Sequence, residues 1–198
     1  AAFALSRHKG PLSPSQRLHV VNGVARAKSD RARGFLIRLM ALIEDTASLE
    51  MLEQIIERHE NSDLRIEALR AVGRRKLTPE TVEVLVKGLS DQSEHVIAQT
   101  LLSLQSQVAQ LKGNDAAGEH LLRFINEGSS PWTQSLAIEV LAAVEPELAS
   151  PVVDQFLRGG DEDLMPGLMR ASGQIGSSVS RTTLLMNLQN ARTDIQMA

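Results

Sequence analysis

An all-α chain of short helices in series is what the sequence predicts, and three observations carry that expectation. Apolar residues recur at helical spacing from Ser13 onward, with no convincing period-two stretch. Aromatics make up only 3% of the 198 residues, four Phe, one Trp and no Tyr, too few for strands, which favour aromatic and β-branched side chains. Clusters of Pro, Gly, Ser and Asn interrupt the pattern at short intervals, as helix stops and caps do.

Taken in order, Ser13 or Ser15 caps a first helix over 14–28, with Leu18, Val21, Val24 and Ala25 on one stripe. A second spans 30–44, with Phe35, Leu36, Leu39, Leu42 and Ile43 inward. A third covers 47–60 on Leu49, Leu52, Ile55 and Ile56. The turn Glu60-Asn61-Ser62-Asp63 opens a fourth, which stops at Gly73. Thr78-Pro79 opens the fifth with a cap followed by Pro at the first helical position. A sixth follows Ser90–Ser93 and reaches Ala109; a seventh lies between Asn114 and Gly128. Ser130-Pro131 starts an eighth that runs to Val144. Three more are expected from Ala149-Ser150-Pro151 to Arg158, from Asp161 to Gln174, and from Ser178 to Asn190. Every connection is short, so residues 13–198 are expected to form a single domain, with 1–12 a flexible N-terminal segment.

Helices in strict series call for a repeat test. Shifting Leu64, Ile66, Leu69 and Val72 by 32 places Val96, Ala98, Leu101 and Leu104 beneath them. A shift of 72 gives Leu136, Ile138, Leu141 and Val144, and a shift of 100 gives Leu164, Pro166, Met169 and Ser172. Each copy follows another amphipathic helix, so the repeating unit is a helix pair. The stretch from Asn61 to Gly73, with Asp63, Arg65, Ala68-Leu69 and the terminal Gly, resembles the second helix of a HEAT repeat. That resemblance implies an α-solenoid of about five to six antiparallel helix pairs in a right-handed superhelix, second helices concave and first helices convex. It also implies that Asp63 and Arg65 belong to a ladder of polar bonds along the stack. The later copies depart from the motif, with His95 and Ile97, then Ser135 and Ala137, at those positions.

Charge is uneven. Through Lys76 the chain holds 14 Lys and Arg against 9 Asp and Glu, net +5; beyond it 7 stand against 15, net −8, together the overall −3. Such asymmetry bears on partners and admits weak head-to-tail self-association. No run approaches the roughly 18 apolar residues of a membrane span. Without Cys there is no disulfide framework, thiolate metal site or Cys nucleophile. A cytoplasmic location is the expectation.

Chemical candidates are few. His59-Glu60, Glu94-His95 and Glu119-His120 are the kind of neighbours that hold two irons in HEAT-repeat deoxyhypusine hydroxylases. Only the first has the His-Glu order, and the three fall at a first-helix end, a second-helix start and inside a first helix, so they should not converge and no metal or cofactor is expected. No nucleophile elbow or phosphate-binding Gly loop occurs. Basic clusters at Arg26–Arg38 and Arg65–Lys76 suit phosphates, but aromatics to stack a base are nearly absent, which argues against nucleic acid. The expected function is therefore a non-enzymatic scaffold that binds a protein or peptide, acidic in character, on the concave face. Arg31, Arg38, Arg65, Arg70, Arg74, Gln99, Ser103 and Trp132, taken as exposed second-helix positions, are the candidate contacts. The alternatives are an enzyme or enzyme subunit of the same fold, nucleic-acid-directed or lyase-like, and the helical part of a lipid carrier.

Overall fold

The computed structural model describes residues 12–128 and 130–176, with Thr182 and Leu185. Among the described residues are eleven α-helices, one 3-10 turn at Gly88–Ser90 and no strand, so the chain is all-α. They fall into two compact units, divided between Gln107 and Val108. The segment expected to be flexible lies outside the described residues except for Leu12, which is buried.

The first unit holds α1 (Pro14–Arg26), α2 (Asp30–Met40), α3 (Thr46–Arg58), α4 (Ser62–Val72), α5 (Pro79–Lys87) and α6 (Glu94–Ser106). Their starts follow from local chemistry. Ser13, Ser29, Asp45, Asn61 and Thr78 each accept a backbone N–H of the following turn, and a cap of this kind contributes about 1 kcal/mol. The helices pack as pairs, α1 on α2, α3 on α4 and α5 on α6, while α2, α4 and α6 lie side by side. Leu52, Leu69, Leu85, Leu101 and Leu104 are fully buried between them.

Two apolar stripes differ from expectation. In α1 the buried residues are Val20 and Val24, and Leu18 is 61% exposed. In α2 they include Ile37 and Met40, whereas Leu42 follows the helix in an exposed turn. Leu18 and Leu42 carry the expected spacing, but the neighbouring helices cover Val20, Ile37 and Met40 instead, a choice that periodicity alone does not make.

Close approach within this unit depends on glycine. A Cβ added to Gly88 would lie 2.1 Å from Oγ1 of Thr100, and one on Gly73 would lie 2.9 Å from Cβ of Ser103. These two positions let the α5 end and the α4 end settle directly on α6.

The second unit holds α7 (Val108–Leu111), α8 (Asp115–Glu127), α9 (Pro131–Val144), α10 (Pro146–Gly159) and α11 (Met165–Ile175). Apolar α9 sits at its centre, packed by α7, α8, α10 and α11. The sixth helix does not reach Ala109: it stops at Ser106, and short α7 follows. Likewise α10 starts at Pro146, three residues before the expected start, and carries Pro151 in its interior. Pro146 at the first position is enough to open the helix, and the later Pro forfeits only one bond. The helix expected over Ser178–Asn190 lies outside the described residues apart from Thr182 and Leu185.

Candidate protein-binding face

Second helices of the first unit start in strict register. Their N-caps are Ser29, Asn61 and Ser93, each 32 residues after the last. The sequence comparison finds the later shift of 32 but misses the earlier one, because α2 shares Arg33 with Arg65 and Arg38 with Arg70 but has Leu36-Ile37 and Ala41 where the motif has its Ala-Leu pair and terminal Gly.

Two diagonal contacts repeat on this register. Four residues after the cap stands Arg33 in α2 and Arg65 in α4; each reaches the residue 26 further on. Arg65 Nε donates to Asp91 Oδ2 at 2.7 Å, and Nη2 to Oδ1 at 2.9 Å. Its Nη1 donates to the carbonyls of His59 and Glu60 at 2.6 and 3.1 Å. Hydrogen bonding to Asp91 pushes the Arg65 guanidinium above its usual range, against the opposing effect of burial. Arg33 Nη1 meets His59 Nε2 at 3.3 Å. The ladder expected from Asp63 and Arg65 thus uses Asp91 instead, while Asp63 is exposed at the start of α4.

Nine residues after the cap stand Arg38 and Arg70, each reaching 29 residues on. Arg38 Nε lies 3.1 Å from Glu67 Oε2, and Arg70 Nε donates to Gln99 Oε1 at 2.8 Å. Arg70 also pairs with Glu67 at 3.3 Å. Gln99 Nε2 then donates to Ser103 Oγ at 3.3 Å. A continuous polar chain therefore crosses α2, α4 and α6.

That chain rims a notch of about 220 Å³ lined by Arg70, Arg74, Gln99, Leu102, Ser103 and Ser106 with Gly73. Four of the eight candidate residues meet here. Arg31 and Arg38 lie on α2 and are exposed. Trp132, 56% exposed on α9, belongs to the second unit. Two candidates are corrected as exposed positions. The Arg65 side chain is only 13% exposed, because the Asp91 carboxylate and two carbonyls enclose it. Ser103 is 5% exposed, because Gly73 lets α4 close over it. Arg75, part of the second basic cluster, is also buried: Nη1 donates to Ser48 Oγ and Nη2 to the Asp45 carbonyl, both at 2.9 Å. Burial lowers its pKa, with Asp45 and Glu44 opposing that shift.

Leu102 is the residue that sequence reasoning missed. It is 47% exposed at the position equivalent to Arg70 in the 32-residue register, and that register is the signal that finds it. The notch can do recognition chemistry. Guanidinium groups donate in a planar fork that matches carboxylates, and Leu102 offers an apolar contact between them. His59, His95 and His120 fall at an α3 end, an α6 start and inside α8. No group of three His, Cys, Asp or Glu able to hold a metal ion occurs among the described residues, nor any helix long and apolar enough to cross a membrane.

Comparison with models of protein families matches HEAT repeats at residues 18–105 and 49–142, which together cover more than half of the chain. No curated protein matches it.

Proposed function

The chain belongs to the HEAT-repeat family, and on that premise we propose that it is a non-enzymatic scaffold whose second-helix face, the concave one in such stacks, binds an acidic stretch of a protein partner. Repeats of this family are commonly protein-interaction scaffolds. The observation that carries the finer reading is the notch: Arg70 and Arg74 line it together with exposed Leu102, and Glu67 is already engaged by Arg38 and Arg70. An unspent positive charge beside an apolar anchor suits a Leu or Ile flanked by Asp or Glu. Arg31, Arg38 and Gln99 extend the same face, and Trp132 offers a separate contact on the second unit.

Fluorescence anisotropy with a labelled Glu-Glu-Leu-Glu-Glu peptide tests this. Saturable binding that falls at least tenfold in Arg74→Glu and in Leu102→Asp, with melting temperatures unchanged, is the expected result. Equal binding of the Lys-Lys-Leu-Lys-Lys peptide or of duplex DNA would overturn it.

A further inference from the structure

His59 occupies the place that Asp91 holds one repeat later, two residues before the helix cap. Both side chains accept the N–H two residues on: Nδ1 of His59 from Asn61 at 3.1 Å, and Oδ1 of Asp91 from Ser93 at 2.8 Å. Both also face the Arg of the preceding second helix, but with different results. Asp91 gives Arg65 two carboxylate oxygens. An imidazole carrying one N–H has one donor and one acceptor nitrogen. Nδ1 as the acceptor from Asn61 assigns the ring hydrogen to Nε2, on the side of Arg33 Nη1 3.3 Å away. One Nη1 hydrogen of Arg33 goes to Asp30 Oδ1 at 3.1 Å, while Asp30 Oδ2 accepts from Asn61 Nδ2 at 2.8 Å. The remaining Nη1 hydrogen therefore faces another donor. An acceptor is missing between them.

A groove of about 420 Å³ opens at this spot, lined by apolar Val24, Met51 and Ile55 and by Arg33, Arg58 and His59. Its volume lies in the range of small-ligand sites. Arg58 is exposed and adds positive charge, which it shares with the adjacent Glu57.

We propose that this groove binds a free aliphatic carboxylate, its oxygens accepting from Nε2–H of His59 and the spare Nη1–H of Arg33, its alkyl chain lying on Val24, Met51 and Ile55. The anion supplies the acceptor that Asp91 supplies in the next repeat, and Arg58 adds long-range attraction. The site lies between α1 and α3 and does not rest on the scaffold reading.

The test is calorimetric titration with sodium octanoate at fixed ionic strength, followed by the amide shift of Asn61, whose N–H reports on the His59 ring. One saturable site is expected, with acetate and octan-1-ol each at least tenfold weaker. His59→Asp places a carboxylate beside Arg33 as Asp91 stands beside Arg65. It should melt no lower than the parent chain and bind octanoate at least tenfold more weakly. Arg58→Gln should weaken octanoate several-fold without changing the melting temperature. No saturable octanoate binding below about 10 mM, equal binding by His59→Asp, or equal binding of acetate or octan-1-ol would overturn the proposal. Tighter competition by N-acetyl-Leu-Glu-amide would overturn the free acid as the occupant in favour of a peptide.

Discussion

Arg65 and Asp91 are 26 residues apart and meet through two parallel hydrogen bonds in a nearly buried pair, the carboxylate side chain 8% exposed. Removing one partner leaves the other charge uncompensated in a site that water barely reaches, which costs about 3 kcal/mol. Asp91→Ala should lower stability by about that much in urea titration. Asp63→Ala, which loses only a first-turn carboxylate, should lose under about 1 kcal/mol. A double-mutant cycle should show strong coupling for Arg65 with Asp91 and additivity for Arg65 with Asp63. The reverse pattern would mean that the ladder runs through Asp63 after all.

Gly88→Ala should destabilise the first unit by about 1–3 kcal/mol, the usual range for overpacking, because the new Cβ meets Thr100 Oγ1 at 2.1 Å. Thr100→Ala removes that atom, so the double variant should recover most of the loss. Gly167→Ala in the second unit is different. There the Cβ would meet both the hydroxyl of Ser135 at 2.0 Å and its backbone oxygen at 2.8 Å. Ser135→Ala should rescue it only in part. Full rescue would mean that the α9 and α11 backbones are further apart than described.

Lys87 is gripped by Glu53 and Glu57 across α3 and α5. Its hydrogen bond holds Glu57 below the ordinary carboxylate range, and chiefly Glu53, then Glu57, holds Lys87 above the ordinary lysine range. A lowered carboxylate favours the folded chain above its unfolded pKa, and that contribution fades as pH falls through the folded one. A raised lysine contributes below its unfolded pKa and loses that contribution as pH climbs through the folded value. All three groups are partly exposed, so the effect is modest and salt-sensitive. Urea midpoints of the parent chain and of Lys87→Met should differ most near neutral pH and converge toward both extremes. A constant difference from acid to alkali would show that the cluster is not electrostatic.

Pro151 stands six positions into α10 and is exposed. It leaves the Glu147 carbonyl without its helical donor, because the N–H that would reach back four residues is missing. Pro151→Ala should stabilise the second unit by about 1–2 kcal/mol, the helix-propensity gain less the greater freedom of the unfolded chain. Thermal unfolding followed by circular dichroism reads the gain. A loss would show that the ring packs against something essential.

Much of this architecture was legible because it is local. Thr78-Pro79, Asn61, Asn114 and Ser130-Pro131 announce helix starts through side chains that reach no more than three residues, and each cap falls within the turn stretch expected to open its helix. The buried face of α1 was not legible, since Leu18, Val20, Val21 and Val24 spread over nearly half of the helix and only its neighbours choose among them. The candidate face divides in the same way. Arg70, Arg74 and Gln99 are found by exposed helical spacing. The burial of Arg65 and Ser103 depends on Asp91 and Gly73, each about thirty residues away, and no local pattern states such a pairing.

The two diagonal contacts, 26 and 29 residues long, both presuppose caps spaced at 32. A single residue added within α4 between its cap and Glu67 would turn Glu67 off Arg38 by about 100° of helix. Duplication or loss of a whole 32-residue cassette would instead preserve the spacing of both diagonals. The inheritable unit of this surface is therefore the cassette: recombination can lengthen or shorten the row of rungs, whereas small insertions are confined to turns that carry none.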